Sequence, residues 1–262
     1  TRVSQEKGRV ILDEEAGLTP KVLAGVRRVR FLACGTSWHA GLVGEHMVER
    51  LAGLPAEVDL ASEFRYRGAP AEEGVLTVAI SQSGETADTR AAFGEARGRG
   101  GFRLAVCNVL GSSIAREADG VLYTHAGPEI SVASTKAFTS QLTALYLLAL
   151  FLGQQRGRLA RGAVAQHLAD LVRLPALIQR ALALGPAMAE LGQRFARSRD
   201  CLYLGRGVNF AVALEGALKL KEISYVHAEG YAGGEMKHGP IALIDEELPV
   251  VVLAPRDENF AK

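Results

Sequence analysis

A run of hydroxyl-bearing residues directly follows a short apolar segment in the first third of the chain. The apolar segment, Val75 to Ile80, is rich in β-branched residues and is typical of a buried parallel strand. The residues after it read Ser-Gln-Ser-Gly-Glu-Thr-Ala-Asp-Thr from Ser81 to Thr89, and they predict a tight turn that opens a helix. Unpaired backbone N–H groups at a helix start, with the positive end of the helix dipole, bind anions. We therefore interpret this hydroxyl turn, residues 81–89, as an anion site.

The composition of the hydroxyl turn favours a phosphate monoester over a nucleoside triphosphate. The turn contains no Lys or Arg, so it is not a Walker-type loop. Serine and threonine add hydrogen-bond donors without bulk, and Gly84 is expected to let the backbone approach a ligand closely. The alternative is an ordinary capped helix with Ser83 or Thr86 as the N-cap. One cap needs one such residue, and four hydroxyls after a single strand favour the phosphate site.

A second turn of the same kind, Gly35-Thr36-Ser37, follows another predicted strand, Val29 to Ala33. Open α/β sheets bind their ligands at the carboxyl ends of the strands. Thr36 and Ser37 could therefore bond sugar hydroxyls or phosphate. From the residues alone, simple helix capping is an equally good interpretation of Thr36.

A row of charged residues and a histidine in the last quarter of the chain could perform acid–base chemistry. Glu215, Lys219 and Glu222 are spaced i, i+4 and i+7, so they share one face of a predicted helix. Such a row alone is usually a solvated face of salt bridges. The segment 228–240 that follows is glycine-rich, ends in Lys-His-Gly-Pro and predicts a loop that holds His238 on a constrained turn. A carboxylate and a nearby histidine can move a proton between adjacent carbons of a sugar.

The composition excludes several classes of protein. The chain has 262 residues, of which 48% are hydrophobic and 23% charged, with a formal net charge of +1. Such a chain can fold into two modest cores or one large core. The near-zero charge and the lack of a basic block argue against a nucleic-acid partner. The histidines other than His238 show no ligand spacing, so we expect neither a metal nor a cofactor.

The cysteines and the apolar segments indicate a cytoplasmic protein with no membrane partner. Cys34, Cys107 and Cys201 lie far apart in the sequence, and we expect Cys34 and Cys201 to be buried free thiols of a reducing compartment. Residues 1–20 are polar and mixed in charge, so we expect no signal peptide. Polar residues interrupt the apolar segment from Ala137 to Leu152, which therefore predicts a buried helix and not a membrane span.

Strand and helix patterns alternate along the chain, which predicts an α/β fold with parallel sheets flanked by helices. Helical patterns dominate from Ala137 to Ser198, and then the alternation restarts. The stretch from Cys201 to Gly207 matches Val29 to Gly35, and Val250 to Ala254 matches Val75 to Ala79. We interpret this as an internal duplication. The predicted subdomains are 1–160, with a polar lead-in, and 161–262, which is incomplete at its carboxyl end.

The chain resembles the sugar-isomerase (SIS) domains of glutamine–fructose-6-phosphate transaminases over essentially its whole length. The hydroxyl turn alone marks the SIS superfamily. The segment from Leu214 to Tyr225, read together with Lys-His-Gly-Pro at 237–240, is far more specific. The other matching segments are Ala33–Ser37, Ala61–Arg67, Val132–Thr139 and Leu204–Gly207.

The resemblance implies two tandem SIS subdomains of flavodoxin-like fold and assigns a role to each candidate residue. It implies that the sugar phosphate is held by Ser81, Gln82, Ser83 and Thr86. It implies that the sugar itself is held by Thr36, Ser37 and Ser134 with the backbone of Val132.

The resemblance also implies a reaction, which in this family makes glucosamine 6-phosphate from fructose 6-phosphate and ammonia released from glutamine. Glu222 would shuttle a proton between C1 and C2 of the sugar, and Lys219 would support the charge of the enediol. His238 would help to open the sugar ring, reaching in from the neighbouring subunit of a homodimer.

Two departures from the family pattern bear on the activity of the chain. The chain begins at Thr1 with no match to the family's N-terminal glutaminase domain, and no residue matches the lysine of the family's C-terminal tail. We therefore expect a fragment whose partner in the full-length protein is a glutaminase domain. A non-catalytic phosphosugar-binding SIS module is an alternative, although it would not need Glu222 and His238. A stand-alone sugar-phosphate aminase or deaminase is favoured only if the natural gene begins near Thr1.

Overall fold

The chain folds into two units, Thr1–Ala165 and Gln166–Lys262. The structure is a computed structural model, and it describes residues 2–4, 7–68, 70–99, 101–257 and 260. The division between the units falls within a long helix, Arg161–Leu182.

The first unit alternates strands and helices as predicted. A short antiparallel pair, β1 (Val3–Ser4) and β2 (Arg9–Val10), precedes the alternating elements. Those elements are α1 (Pro20–Gly25), β3 (Arg28–Ala33), α2 (Gly35–Ala52), β4 (Ala56–Leu60), α3 (Ala61–Arg67), β5 (Val75–Ser81), α4 (Ala87–Glu95), β6 (Phe102–Cys107), α5 (Ser113–Glu117), β7 (Gly120–Tyr123), α6 (Lys136–Gln155) and the start of α7 (Arg161–Leu182).

The five long strands of this unit form one parallel sheet in the order β4-β3-β5-β6-β7. This is the flavodoxin-like order. Every residue of β5 is buried, as the apolar run predicts for a central strand covered on both faces. The chain leaves β3 towards β4 on one side and returns through β5 on the other. The carboxyl ends of β3 and β5 therefore flank the switch point, where sheets of this kind bind ligands.

Helix α6 is the central helix of the first unit and packs against α2. It is the one described helix that is long and apolar enough to cross a membrane, and 61% of its apolar window is buried within the structure. Its amino-terminal half carries Gln141, which bonds Ser37 at the start of α2. Near its other end, Gln154 exchanges two hydrogen bonds with the backbone of Val10.

The second unit repeats the strand arrangement of the first. After α8 (Gly185–Phe195) come β8 (Asp200–Gly205), α9 (Val208–Ser224), β9 (His227–Ala232), two short 3₁₀ turns (Glu235–His238 and Pro240–Leu243) and β10 (Val250–Val252). The three strands are parallel in the order β10-β8-β9, which matches β5-β3-β4 of the first unit. The shared order confirms the internal duplication that the sequence predicts.

One sequence prediction for the second unit is wrong. The glycine-rich segment 228–240 is not a loop over its whole length, because residues 227–232 form β9 and pair with β8. A Cβ atom at Gly230 would lie 2.8 Å from the Cα atom of Leu214 on α9. The glycine therefore allows close packing of a helix on the sheet and does not indicate a flexible segment.

We expect the α2–α6 packing to be intolerant of one added methyl group. A Cβ atom at Gly153 of α6 would lie 2.5 Å from the backbone oxygen of Leu51, so Gly153→Ala should destabilise the unit by about 1–3 kcal/mol. Gly94→Ala on α4 is the matched control, because no atom lies within 4 Å of its added Cβ, and it should be neutral or stabilising by up to about 1 kcal/mol. Urea unfolding followed by the fluorescence of Trp38, the single tryptophan, measures both in this unit. Equal effects of the two substitutions would contradict the close approach.

Candidate functional site

Two helix N-termini meet at the switch point of the first unit. Helix α2 begins at Gly35 directly after β3, and α4 begins at Ala87 after the turn that follows β5. Thr89 Oγ1 donates to Cys34 Sγ at 3.7 Å, so the two turns are in contact. Cys34 is half-buried at the N-cap of α2, which corrects its expected burial as a core thiol; Cys107 and Cys201 are buried. No disulfide links these three thiols.

The hydroxyl turn is arranged so that backbone N–H groups occupy the acceptor sites of its side chains. The Gly84 N–H donates to Ser81 Oγ at 2.9 Å, and the Glu85 N–H donates to Ser83 Oγ at 3.1 Å. Ser81 is 2% exposed, and its oxygen lies 3.0 Å from Thr86 Oγ1. When an anion lies beside the turn, the favoured arrangement has the Ser81 hydroxyl donating its hydrogen bond to Thr86 Oγ1. The Thr86 hydroxyl then keeps its own proton for a hydrogen bond to the anion. Ser83 and Thr86 are half-buried, and both can present donors to an anion.

Gly84 has a packing role that the sequence does not predict. Its φ is +66°, and an added Cβ would lie 2.0 Å from Ser112 Oγ in the loop after β6. The backbone oxygen of Gly84 also accepts from the Ile114 N–H at 3.0 Å. The glycine is therefore needed for contact with the neighbouring loop, and its expected role in ligand approach stays a prediction.

Glu85 fixes the other side of this junction, and sequence reasoning missed it. Its carboxylate accepts from the Ser113 N–H at 2.7 Å, at the start of α5. This backbone hydrogen bond is the main reason that the pKa of Glu85 lies below its usual range. The Gln82 carbonyl accepts from the Asn108 N–H at 3.1 Å, so both ends of the single loop between β6 and α5 hold the hydroxyl turn in shape.

The glycine turn after β3 places its hydroxyls in the first turn of α2. Thr36 and Ser37 are both half-buried there. Ser37 Oγ accepts from Gln141 Nε2 at 2.9 Å. Gln141 is not among the residues predicted from the sequence, although its spacing from the apolar residues of α6 places it on the buried stripe.

The loop before α6 carries the remaining sugar-site candidates, Val132 and Ser134. Val132 is 95% exposed, and Ser134 is half-buried. The Glu129 carboxylate closes this loop onto the helix: it accepts from the Ala137 N–H at 2.9 Å, the Thr135 N–H at 3.2 Å and the Thr135 hydroxyl at 3.2 Å. The Ala137 N–H is the main cause of the lowered pKa of Glu129. Sequence reasoning missed this residue too.

In the second unit the exposure of the charged side chains on α9 increases from Glu215 through Lys219 to Glu222. Lys219 Nζ lies 3.5 Å from Glu215 Oε1 and 2.5 Å from Glu222 Oε2. The side chain of Glu215 is 7% exposed, that of Lys219 is 19% exposed and that of Glu222 is 31% exposed. A solvated face would expose all three, so the row is a partly desolvated triad with one carboxylate at the surface.

The structure does not bring Glu222 and His238 together within the second unit. Glu222 lies in the last turn of α9, next to the amino end of β9, whereas His238 lies in the 3₁₀ turn beyond the carboxyl end of β9. The six residues of β9 separate these two ends by about 16 Å. Glu222 and His238 of one chain therefore lie towards opposite ends of β9, and their pairing across two subunits stays a prediction.

The switch point of the second unit has different chemistry from that of the first. A cavity of about 280 Å³ lies at the carboxyl ends of β8 and β10, and the residues that line it include Arg206, Asn209 and Pro255 but neither serine nor threonine. In the described part of the chain, no group of three His, Cys, Asp or Glu residues is placed to hold a metal ion.

A flavodoxin-like sheet whose switch point carries two helix N-termini and a row of hydroxyl donors defines the class: an α/β domain suited to phosphorylated small molecules. The sequence pattern of the SIS domain matches residues 22–151 and 194–262. The chain belongs to the SIS domain family.

Curated relatives of the chain carry the name of an isomerising aminotransferase. The chain is 52% identical over 261 residues to glutamine–fructose-6-phosphate aminotransferase (isomerizing) of Methanosarcina acetivorans, covering 100% of this chain and 42% of that protein. It is 54% identical over 252 residues to the protein of the same name from Symbiobacterium thermophilum, covering 96% and 41%. The chain thus spans about two fifths of the length of these curated relatives. The solved C-terminal domain of glucosamine-fructose-6-phosphate aminotransferase from Francisella tularensis matches with a TM-score of 0.95 at 39% identity, covering 99% of this chain and 72% of that one.

The carboxylate of Glu129 should stabilise the loop before α6 in a pH-dependent way. Its folded pKa lies below the ordinary value of 4.5, so its contribution to stability is present above that value and is lost as the pH falls through the folded pKa. The unfolding free energy of Glu129→Gln should therefore be lower than that of the unsubstituted chain at neutral pH, and the difference should shrink in acid. Urea unfolding across this pH range measures it, with Glu73→Gln, an exposed glutamate, as the control. A difference that stays constant with pH would count against the ionised cap.

Proposed function

We propose that the chain is a phosphosugar-isomerase domain that binds fructose 6-phosphate and catalyses its ketose–aldose isomerisation. In the longer protein this step would use ammonia and yield glucosamine 6-phosphate. The observation that carries the proposal is the switch point of the first unit, where two helix N-termini meet hydroxyls whose acceptor sites are already occupied. The names of the similar aminotransferases support the choice of substrate.

The phosphate of the substrate binds at the hydroxyl turn. The hydroxyls of Ser83 and Thr86 donate to the phosphate oxygens, and Gln82 lies beside them in the turn. Ser81 contributes indirectly, because its hydroxyl donates to Thr86 Oγ1 and so leaves the Thr86 proton for the phosphate. The first N–H groups of α4 have no hydrogen-bond partner within the helix. Thr86 stands at the N-cap position, but its side chain makes no hydrogen bond to these groups, so they remain available to the anion. Neutral donors and helix dipoles suit a phosphate monoester of a small molecule.

The sugar lies between the glycine turn and the loop before α6. Thr36 and Ser37 offer hydroxyls from the first turn of α2, and Ser134 offers a hydroxyl from the loop that Glu129 closes. The backbone of Val132 completes this set. The residue is 95% exposed, so a ligand can reach it.

Glu222 moves the proton between C1 and C2 of the opened sugar. As a carboxylate it takes the proton from one carbon and returns it to the other. Lys219, at 2.5 Å, supplies a positive charge that stabilises the enediolate formed between the two transfers. Buried Glu215 holds the other side of the Lys219 ammonium and keeps it in place.

His238 opens the sugar ring of a site on a second copy of the chain. The reason is that Glu222 and His238 lie towards opposite ends of β9. The second unit of one chain therefore cannot bring both side chains to the same substrate molecule. A homodimer with shared sites resolves this. The further proposed partner is a glutaminase domain of the same protein that releases ammonia, and the proposed location is the cytoplasm.

Loss of the Ser83 hydroxyl should weaken substrate binding. Ser83→Ala should lower the affinity for fructose 6-phosphate by roughly 1–3 kcal/mol, because a hydrogen bond to a charged phosphate is lost. Isothermal titration calorimetry measures the affinity, and Ser4→Ala on β1 is the control. Unchanged affinity in Ser83→Ala would contradict the placement of the phosphate.

The shared site predicts recovery of activity in mixed dimers. Glu222→Gln and His238→Ala variants of the natural full-length protein should each be inactive in exchange of the C1/C2 proton with solvent. Mixing them should regenerate sites in which one copy supplies Glu222 and the other His238. A lack of recovery, with subunit exchange demonstrated by mass spectrometry, would overturn the shared site. Retained proton exchange in Glu222→Gln alone would move the proton transfer to another residue.

A further inference from the structure

Gln141 occupies a position of α6 where the helix otherwise buries apolar side chains. It is 1% exposed and lies one turn from Ala137 and from Leu145, both of which are also buried. An aliphatic residue would suit such a position better, because a buried amide must find partners for both its oxygen and its nitrogen. A polar residue kept on an apolar stripe calls for a specific contact.

That contact is the hydroxyl of Ser37. Gln141 Nε2 donates to Ser37 Oγ at 2.9 Å, between helices whose packing forms the centre of the first unit. An amide nitrogen can only donate, so Ser37 acts as the acceptor in this bond. Its own proton is therefore free to donate elsewhere, in the first turn of α2 at the switch point.

The other atom of the Gln141 amide indicates that stability alone does not account for the residue. Gln141 Oε1 is buried, and the described residues offer it no hydrogen-bond partner. Leaving such an acceptor unpaired costs stability that an apolar side chain of similar size would avoid. The bond to Ser37 is therefore retained at the expense of stability.

We propose that Gln141 is a positioning residue that sets the hydrogen-bond polarity of Ser37. By occupying an acceptor site of the hydroxyl, the amide holds Ser37 in one rotamer and directs its O–H towards an oxygen of the phosphosugar. Gln141 itself acts only through Ser37 and does not touch the ligand. This inference rests on the proposed binding of a hexose phosphate at the switch point.

A double-mutant cycle tests the inference. Gln141→Met removes the donor at similar volume and should weaken fructose 6-phosphate binding by about tenfold, since one oriented hydrogen bond to the ligand is lost. Ser37→Ala should weaken binding to a similar or greater extent. Adding Gln141→Met to Ser37→Ala should then have no further effect, because the residue acts through Ser37.

The control is the other hydrogen-bonded glutamine of the same helix. Gln154→Met removes two bonds to Val10, which lies outside the proposed site, so it should lower stability without changing affinity. Calorimetry with fructose 6-phosphate on the 262-residue chain gives the affinities, and urea unfolding followed by Trp38 fluorescence gives the stabilities. Gln141→Met should show the reverse pattern, with lowered affinity and equal or raised stability.

A second variant tests the polarity directly and guards against misfolding of the first. Gln141→Glu keeps the size and reach of the side chain, but an ionised carboxylate can only accept, so Ser37 must donate to it. Burial raises the pKa of a carboxyl at this position, so affinity relative to the unsubstituted chain should fall as the pH rises and the carboxyl ionises. Affinity equal to that of the unsubstituted chain at every pH would overturn the inference.

The outcomes separate the inference from the proposed function. If the unsubstituted chain binds fructose 6-phosphate and Gln141→Met binds it equally well, the inference is overturned and the proposed function stands. Additive effects of Gln141→Met and Ser37→Ala would likewise overturn it, since Gln141 would then act by another route. Absence of binding by the unsubstituted chain would overturn the proposed function and the inference together.

Discussion

The parallel pairing of β3 with β5 is the interaction on which the rest of the candidate site depends. The two strands lie side by side in register, from Arg28 opposite Val75 to Leu32 opposite Ala79. Neighbouring strands are about 4.8 Å apart, so the turns that leave them must emerge next to each other. The start of α2 and the start of α4 therefore meet, although more than 40 residues separate them in sequence. A shift in this register would separate the Ser37 hydroxyl from those of the hydroxyl turn.

The features that the sequence predicts correctly are those that depend on residues close together in the chain. The apolar run before Ser81 predicts β5, and the repeated strand-and-glycine pattern predicts the duplication that the strand orders confirm. β9 was not predicted because it contains small residues, which are also typical of loops. Its Gly230 is small because α9 packs closely on the strand at this point. Gln141 was missed because its partner lies 104 residues away, and only the packing of α6 on α2 reveals the pair. The roles of the site residues stay predictions, because their chemistry depends on a bound ligand.

The duplicated fold places the candidate residues differently in its two copies. In the first unit the candidate residues gather at the carboxyl edge of the sheet, as the α/β architecture favours. In the second unit the corresponding edge offers Arg206 and Pro255 in place of hydroxyls, with His238 beyond the carboxyl end of β9. Glu222 stands at the far end of α9, close to the amino edge of its own sheet. The same backbone arrangement thus presents a turn of hydroxyls in one copy and a carboxylate on a helix in the other.

The absence of Lys and Arg from residues 81–89 also bears on how the site responds to ionic strength. Sites built from lysine and arginine attract anions over distances near the Debye length, and added salt weakens them. Hydroxyls and peptide N–H groups bind an anion only when they are in contact with it. Mobile ions cannot weaken these contacts unless they first displace the ligand. Shape and hydrogen-bond direction decide the binding of an anion to such a turn more than long-range attraction does. Its affinity should accordingly vary little between dilute buffer and concentrated electrolyte, and other polyanions should compete poorly for it.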